Sequence, residues 1–318
     1  MDDVLLIFWI RAARRKARNA AVVEVLRLLR DLEVTALPGG PFGDQKGVFW
    51  VLIPSSALEP ARTRLHRLGY SSAVDALVPP GEGWPSASAR RGVGGTVRWR
   101  GQDWDAVRIH QEDEDLHRSL APDRRAFLIE KQPGVIEAVH GYRGSGGLLS
   151  RRGLPVCDAR LLVNLVNVPE PGARFLDPFA GVGGLLIEAR KAGFHVVSVD
   201  VDPILQHGLG ALADEHQVSD ARSLPFPDAS FDALATEPPY HASATESVLE
   251  SLGELDRVLR PGRSIAMLVA AHQAEALRLR AAGLRLVPFF DAPIDRKGTD
   301  VVLLAWDKPR LPSAPPGG

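Results

Sequence analysis

An α/β fold with a largely parallel sheet in its C-terminal half is what this 318-residue chain predicts, on three observations. Between residues 174 and 306, short apolar runs alternate with helical stretches, the pattern of strands covered on both faces. The first run ends in a glycine-rich turn that opens the next helix, Asp177-Pro-Phe-Ala-Gly181-Val-Gly183-Gly184, where backbone can approach a ligand closely. The last two runs are separated only by a turn, residues 291–299, so they are expected to pair antiparallel. Together these describe a Rossmann-like sheet with an antiparallel last strand, preceded by an N-terminal α/β region.

Taken in order, residues 4–10 predict a buried strand and 12–32 a helix, with Val22, Val25, Leu26 and Leu29 at helical spacing. A second strand over 47–53 and a second helix over 57–68 complete a small α/β domain, residues 1–78. The Pro-, Gly- and Ser-rich stretch 79–95 predicts a linker. Residues 96–153 form a β-rich connecting region, with short strands at 96–100, 106–110, 126–130 and 135–140. The main domain spans 154–308, with strands at 174–176, 195–199, 231–235, 264–269, 285–290 and 301–305 and helices at 185–191, 204–214, 245–259 and 273–282. Residues 309–318 predict a flexible tail.

A chain 45% hydrophobic and 24% charged is an ordinary globular one, which excludes disorder. Lys and Arg number 38 and Asp and Glu 39, a net charge of −1, so any polyanion must be held by a local basic patch. The single cysteine, Cys157, excludes an internal disulfide and a cysteine metal cage, and suits the reducing cytoplasm. No apolar run reaches the ~20 residues that span a bilayer. Asp2 and Asp3 precede the first apolar run and arginines follow it, the reverse of a signal peptide. The acidic run 112–115 reads as a solvated turn, because no histidine joins it at metal-ligand spacing. No metal and no membrane contact are expected, and the oligomeric state has no sequence signal.

The glycine turn carries an acid four residues before G-x-G-G. A dinucleotide-binding turn would read G-x-G-x-x-G and face a pyrophosphate. A carboxylate at Asp177 repels a pyrophosphate and suits a cation bearing an α-amino group. S-adenosylmethionine (SAM), with a sulfonium and an ammonium, fits a loop made of Asp177, Phe179, Gly181, Gly183 and Gly184. Asp200 closes the second strand, where a carboxylate can accept both ribose hydroxyls. Asp220 follows the expected third strand and can accept from the adenine amine. Singly, each could be a turn glycine, a helix cap or a strand-end charge; their order and spacing favour one ligand. Residues 174–306 resemble the class I SAM-dependent methyltransferases, which implies SAM as cofactor.

The fourth strand ends in Thr236-Glu237-Pro238-Pro239-Tyr240. This resembles the (D/N/S)-P-P-(Y/F/W) motif of methyltransferases acting on exocyclic amines of nucleobases. Such an amine is a poor nucleophile, because its lone pair is delocalised into the ring. An acidic side chain and the first proline's carbonyl can accept its protons, while the prolines hold φ near −65° and keep the acceptors rigid. Tyr240 offers a face for stacking. Glu237 is one methylene longer than the Asp of the usual motif, and the plainer alternative is a rigid loop covering the cofactor.

Pro155-Val-Cys-Asp-Ala-Arg160-Leu-Leu-Val-Asn164-Leu165, followed by D-P-F-A-G-V-G-G, L-P-F and E-P-P-Y, resembles the THUMP-associated tRNA guanine-N2 methyltransferases. That resemblance covers residue 154 onward and implies guanine N2 in tRNA as the acceptor. The N-terminal half shows no THUMP pattern. For an RNA partner, Arg11, Arg14, Arg15 and Arg18 stand at i, i+3, i+4 and i+7, one stripe on a helix. Arg143, Arg151 and Arg152 lie in a glycine-rich segment with no acid between them. Both groups are equally readable as solvated charge. Two segments, 224–232 (L-P-F-P-D-A-S-F-D) and 254–262 (E-L-D-R-V-L-R-P-G), resemble instead the quinone- and sterol-type small-molecule methyltransferases, which usually lack P-P-Y. DNA adenine-N6 and cytosine-N4 methyltransferases share the P-P-Y chemistry. A binding module without catalysis is disfavoured by the presence of both loops.

Overall fold

The computed structural model describes residues 3–37, 47–81, 96–111, 126–140, 154–296 and 299–310. The chain divides into two compact units, residues 1–119 and 120–318. The acidic run 112–115, Arg143, Arg151 and Arg152, and most of the linker and tail lie outside the described residues.

In the N-terminal unit the elements run β1 (Asp3–Ile10), α1 (Arg18–Leu28), β2 (Thr35–Ala36), β3 (Val48–Pro54), α2 (Leu58–Leu65) and β4 (Ser71–Val78). The strand order β2-β3-β1-β4, with antiparallel neighbours, is the ferredoxin-like βαββαβ arrangement. Phe8 and Phe49 stack with centroids 4.9 Å apart, and Val25 and Leu28 of α1 are buried. Two strands beyond residue 78 belong to the same sheet. β5 (Thr96–Trp99) and β6 (Gln102–Gln111) form a hairpin whose second strand pairs with β4. The expected boundary at 78 is therefore a boundary in sequence composition, not in the sheet.

The predicted helix over 12–32 is broken. Ala12–Ala17 form a 3-10 turn that buries no side chain, and the α-helix begins at Arg18. The entry is pinned from outside: the Arg11 backbone N–H donates to the Tyr70 carbonyl at 2.9 Å, and its guanidinium donates to the Gly69 carbonyl. With no apolar face to dock, the local arginine- and alanine-rich preference for an α-helix yields to those contacts.

The C-terminal unit opens with a separate hairpin, β7 (Ala126–Gln132) and β8 (Val135–His140), then α3 (Val156–Leu165). The main sheet follows: β9 (Arg174–Asp177), α4 (Gly184–Lys191), β10 (His195–Asp200), α5 (Gln206–Leu212), β11 (Glu215–Val218), β12 (Phe231–Thr236), α6 (Thr245–Val258), β13 (Leu259–Ala270), α7 (Ala271–Gly283), β14 (Val287–Arg296) and β15 (Thr299–Asp307). Strand order is β11-β10-β9-β12-β13-β15-β14. The first five are parallel, and β15 runs antiparallel to both its neighbours. This is the class I methyltransferase fold, with the antiparallel last strand that the short final connection predicts. Most of the turn expected at 291–299 is strand. Asp291, Ala292, Pro293 and Ile294 pair with residues 301–304 of β15, and Ile294 is buried.

One face of the sheet packs Val197, Val199, Leu234, Ile265 and Met267 against α6 and α7 through Val248, Leu252, Leu255 and Leu277. On the other face, Arg160 of α3 meets Glu188 of α4, Nε to Oε2 at 3.0 Å, both side chains buried. Lys191 satisfies the second carboxylate oxygen at 2.8 Å. The β7–β8 hairpin docks on α5: the Phe127 ring fills the space over Gly208, and Glu130 accepts from Gln206 at 2.7 Å. The stretch 96–153 is thus shared between the two units rather than being one connecting region. Among the described residues no helix is long and apolar enough to cross a membrane. Strand order reverses at β9, whose neighbours are β10 and β12, so a crevice opens at the carboxyl ends of these three strands.

Candidate active site

Three acids stand around that crevice. Asp177 ends β9 and is 2% exposed. Its Oδ1 accepts from the Thr236 hydroxyl at 2.7 Å and from the Phe179 N–H at 3.3 Å. Burial pushes its carboxyl from the ordinary 3.8 up to about 7; these hydrogen bonds oppose the rise, and the nearby charges of Asp200 and Glu237 add to it. Asp200 and Glu237 lie close enough to Asp177 for their charges to oppose its ionisation. A pyrophosphate would meet only repulsion here, whereas an ammonium group would relieve it.

The turn between β9 and α4 is shaped by its glycines. Gly181 and Gly183 have φ of 53° and 75°, the left-handed region that costs other residues roughly 1–2 kcal/mol. A Cβ on Gly183 would also lie 2.6 Å from Leu212 Cδ1, a side-chain end that can swing aside. Gly183→Ala is therefore expected to lower stability by roughly 1–2 kcal/mol, read as a lower Tm, with weaker cofactor binding. An unchanged Tm would show that the turn tolerates a side chain in another conformation. Leu154 packs 3.6 Å from where a side chain on Gly184 would begin. The segment from 154 to 165 thus supports the glycine turn from behind, directly and through Arg160 and Glu188.

Asp200 closes β10 and ties the turn to it: Oδ2 accepts the Gly181 N–H at 2.8 Å and Oδ1 the Asp202 N–H at 3.0 Å. Each carboxylate oxygen has a second lone pair, so capacity for a diol is retained. Phe179 is half-buried, and its backbone N–H donates to Asp177. Asp220 is different. Its carboxylate is taken up by Arg222, with Nη2 to Oδ2 at 2.7 Å and Nε at 3.1 Å from both oxygens. The Arg222 guanidinium holds it below the usual carboxylate range. A role toward adenine would compete with this pair.

At the end of β12, Glu237 and Tyr240 are half-buried and the Tyr240 hydroxyl donates to Glu237 Oε1. Pro238 is buried and Pro239 exposed. The Pro239 carbonyl accepts from Gln273 Nε2 at 2.9 Å. Sequence reading missed Thr236 and Gln273. Thr236 immediately precedes the E-P-P-Y run and could have been noticed by that adjacency; Gln273 had no local signal.

The arginines expected to form one stripe do not share an α-helical face, because Arg11, Arg14 and Arg15 precede α1. The Arg14 guanidinium lies 5.4 Å from the Tyr70 ring centroid, and Arg18 Nε donates to the Val48 carbonyl at 3.3 Å. Arg15 and Arg18 are the exposed pair of the four.

Residues 176–267 match the family profile described as a methyltransferase domain. This part of the chain is a methyltransferase domain. It has the class I fold, whose methyl donor is S-adenosylmethionine. A tRNA (guanine(10)-N2)-dimethyltransferase of Methanothermobacter thermautotrophicus is 42% identical over 94 residues, 27% of this chain and 27% of that protein. A demethylmenaquinone methyltransferase of Roseiflexus castenholzii is 30% identical over 162 residues, 49% of this chain and 66% of that protein. The structure of TrmN from Thermus thermophilus aligns over 96% of this chain and 99% of its own, with 18% identity and a TM-score of 0.48. The chain spans no more than a third of the length of the tRNA-modifying relatives it matches.

Proposed function

We propose that the chain transfers a methyl group to an exocyclic amine of a nucleobase, with guanine N2 of a cytoplasmic tRNA as the acceptor. The observation that carries this reading is the Glu237 carboxylate, followed by two prolines, at the end of β12 beside the Asp177 and Asp200 crevice. When bound, S-adenosylmethionine supplies an electrophilic methyl group. Asp177 would hold the ammonium of its amino-acid part, and Asp200 the ribose hydroxyls. Glu237 would accept a hydrogen bond from the amine, aligning the nitrogen lone pair, stabilise the positive charge that develops there as the methyl leaves sulfur, and accept the proton the methylated nitrogen then loses. The Pro238 carbonyl would be the second acceptor, and Tyr240 would offer its face for stacking on the base. The protein's contribution is positioning, without a covalent enzyme intermediate.

The choice of tRNA guanine is supported by the segment from 154 to 165 and by the relatives named for that activity. The small-molecule alternative is favoured by the quinone-type relative and by segments 224–232 and 254–262. Those segments hold each other: Arg257 donates to the Leu224 and Phe226 carbonyls and to Asp228, and Glu254 accepts the Leu224 N–H at 2.9 Å. They clamp the loop before β12 onto α6, a scaffold duty independent of the acceptor. Transfer of labelled methyl to total tRNA, DNA and a small-molecule panel, followed by nucleoside analysis, tests the reading. N2-methylguanosine is expected. Label in N6-methyladenine of DNA would move the substrate to DNA, and label only in small molecules would end the nucleobase reading.

If Arg15 and Arg18 contact tRNA phosphates, replacing both by alanine should weaken tRNA binding and lower the slope of log affinity against log salt by up to ~2. An unchanged slope in filter binding would leave them as surface charge.

A further inference from the structure

We propose that Gln273 is a positioning residue for the acceptor loop, its carboxamide fixing Pro239 and, through it, the Tyr240–Glu237 pair. The proposal rests on the nucleobase-amine reading for its kinetic consequence, but not for its geometry. Gln273 lies in the first turn of α7 and is 0% exposed. Its two ends face different segments. Oε1 accepts the N–H of Ala270, the last residue of β13, at 3.1 Å, and Nε2 donates to the Pro239 carbonyl at 2.9 Å.

The sequence of the loop explains why such a brace is needed. Pro238 and Pro239 have no N–H, so the segment after β12 cannot be tied down through its own donors there. Its carbonyls are the handles that remain, and the Pro239 carbonyl is the acceptor half of the peptide that leads into Tyr240. Holding that oxygen sets the plane of the Pro239–Tyr240 peptide, and so where the phenol arrives. The Tyr240 hydroxyl in turn donates to Glu237 Oε1. Glu237, one methylene longer than the usual Asp, has an additional rotatable bond, and this phenol restrains it. The chain of contacts runs from a buried amide to the carboxylate that would meet the amine.

Gln273→Met keeps the volume and removes both hydrogen bonds. Gln273→Glu keeps the acceptor toward Ala270, but when ionised sets a carboxylate oxygen against the Pro239 carbonyl. Burial raises the pKa of such a carboxyl, and its protonated form regains a donor. The chain has three tyrosines, so uniform 3-fluorotyrosine labelling gives three fluorine resonances, with Tyr240→Phe assigning one. In Gln273→Met the Tyr240 resonance is expected to move and the other two to stay, with SAM affinity within about twofold of wild type and kcat on tRNA lowered roughly 10- to 100-fold. In Gln273→Glu the ratio of variant to wild-type kcat is expected to climb as pH falls, which a purely structural role would not produce. An unmoved Tyr240 resonance, a wild-type kcat, or a joint shift of all three resonances with loss of SAM binding would each overturn the proposal. If the wild-type protein methylates no nucleobase amine, the functional reading fails separately, and the fluorine spectrum still decides whether Gln273 sets the loop.

Discussion

Replacing Glu237 by alanine is expected to slow methyl transfer to the nucleobase by ~10²–10³ while SAM affinity stays near wild type. The magnitude follows from removing one positioned acceptor from a site where charge develops on the attacking nitrogen. Glu237 is half-buried and already engaged by the Tyr240 hydroxyl, so the loss removes the acceptor and unties the tyrosine together. Glu237→Asp keeps a carboxylate but withdraws it by one methylene from that hydroxyl. It should retain measurable activity below that of wild type. Tyr240→Ala should chiefly weaken base binding, by roughly 1–3 kcal/mol of lost stacking. Single-turnover rates with saturating SAM separate these cases. A Glu237→Ala variant as fast as wild type, with label in small molecules alone, would remove the amine from the account.

The second large effect is at Asp177. Asp177→Ala is expected to abolish SAM binding in calorimetry while leaving the fold largely intact, and wild-type affinity should depend on pH in one direction. The buried carboxyl titrates at about 7 without a cation beside it, above its ordinary 3.8. An ammonium ligand pairs with the ionised form. Below about pH 7, binding must therefore expel a proton, and affinity falls by up to about tenfold per pH unit; above 7 this dependence levels off until the ligand's own ammonium begins to lose its proton. The stability of the free protein runs the opposite way with pH. A carboxyl whose folded pKa is raised favours folding most below about pH 4, and that contribution is lost as pH rises through about 7. SAM should consequently raise Tm more at pH 8 than at pH 5.5. Affinity that is level from pH 5.5 to 8, or binding of NAD in place of SAM, would contradict the ammonium assignment.

Short-range pattern made much of this molecule legible. Strand and helix alternation from β9 onward, the turn-only link into β15, and the glycine turn after Asp177 are local in the chain. Each follows from side-chain period or from a backbone angle that glycine alone adopts freely. The placement of Asp177 and Asp200 as the last residues of β9 and β10, and of Glu237 immediately after β12, was readable for the same reason, because a strand's end is a sequence position.

What only the tertiary structure decided concerns partners distant in sequence. The β5–β6 hairpin joins the first sheet because β4 leaves an edge open to β6, which no composition shift reveals. The 3-10 turn at Ala12–Ala17 arises from contacts between Arg11 and residues 69 and 70, against the local helical preference. The pairing of Arg160 with Glu188, the capture of Pro239 by Gln273 and the hydroxyl of Thr236 on Asp177 join residues 28 or more positions apart. Asp220 shows the converse: its partner Arg222 is two residues away, yet whether that pair forms or a ligand intervenes depends on how the loop after β11 is exposed. Hydrogen bonds and ion pairs require only that donor and acceptor meet in space. They leave no period in the chain, so sheet order and helix docking decide them where hydrophobic patterning cannot.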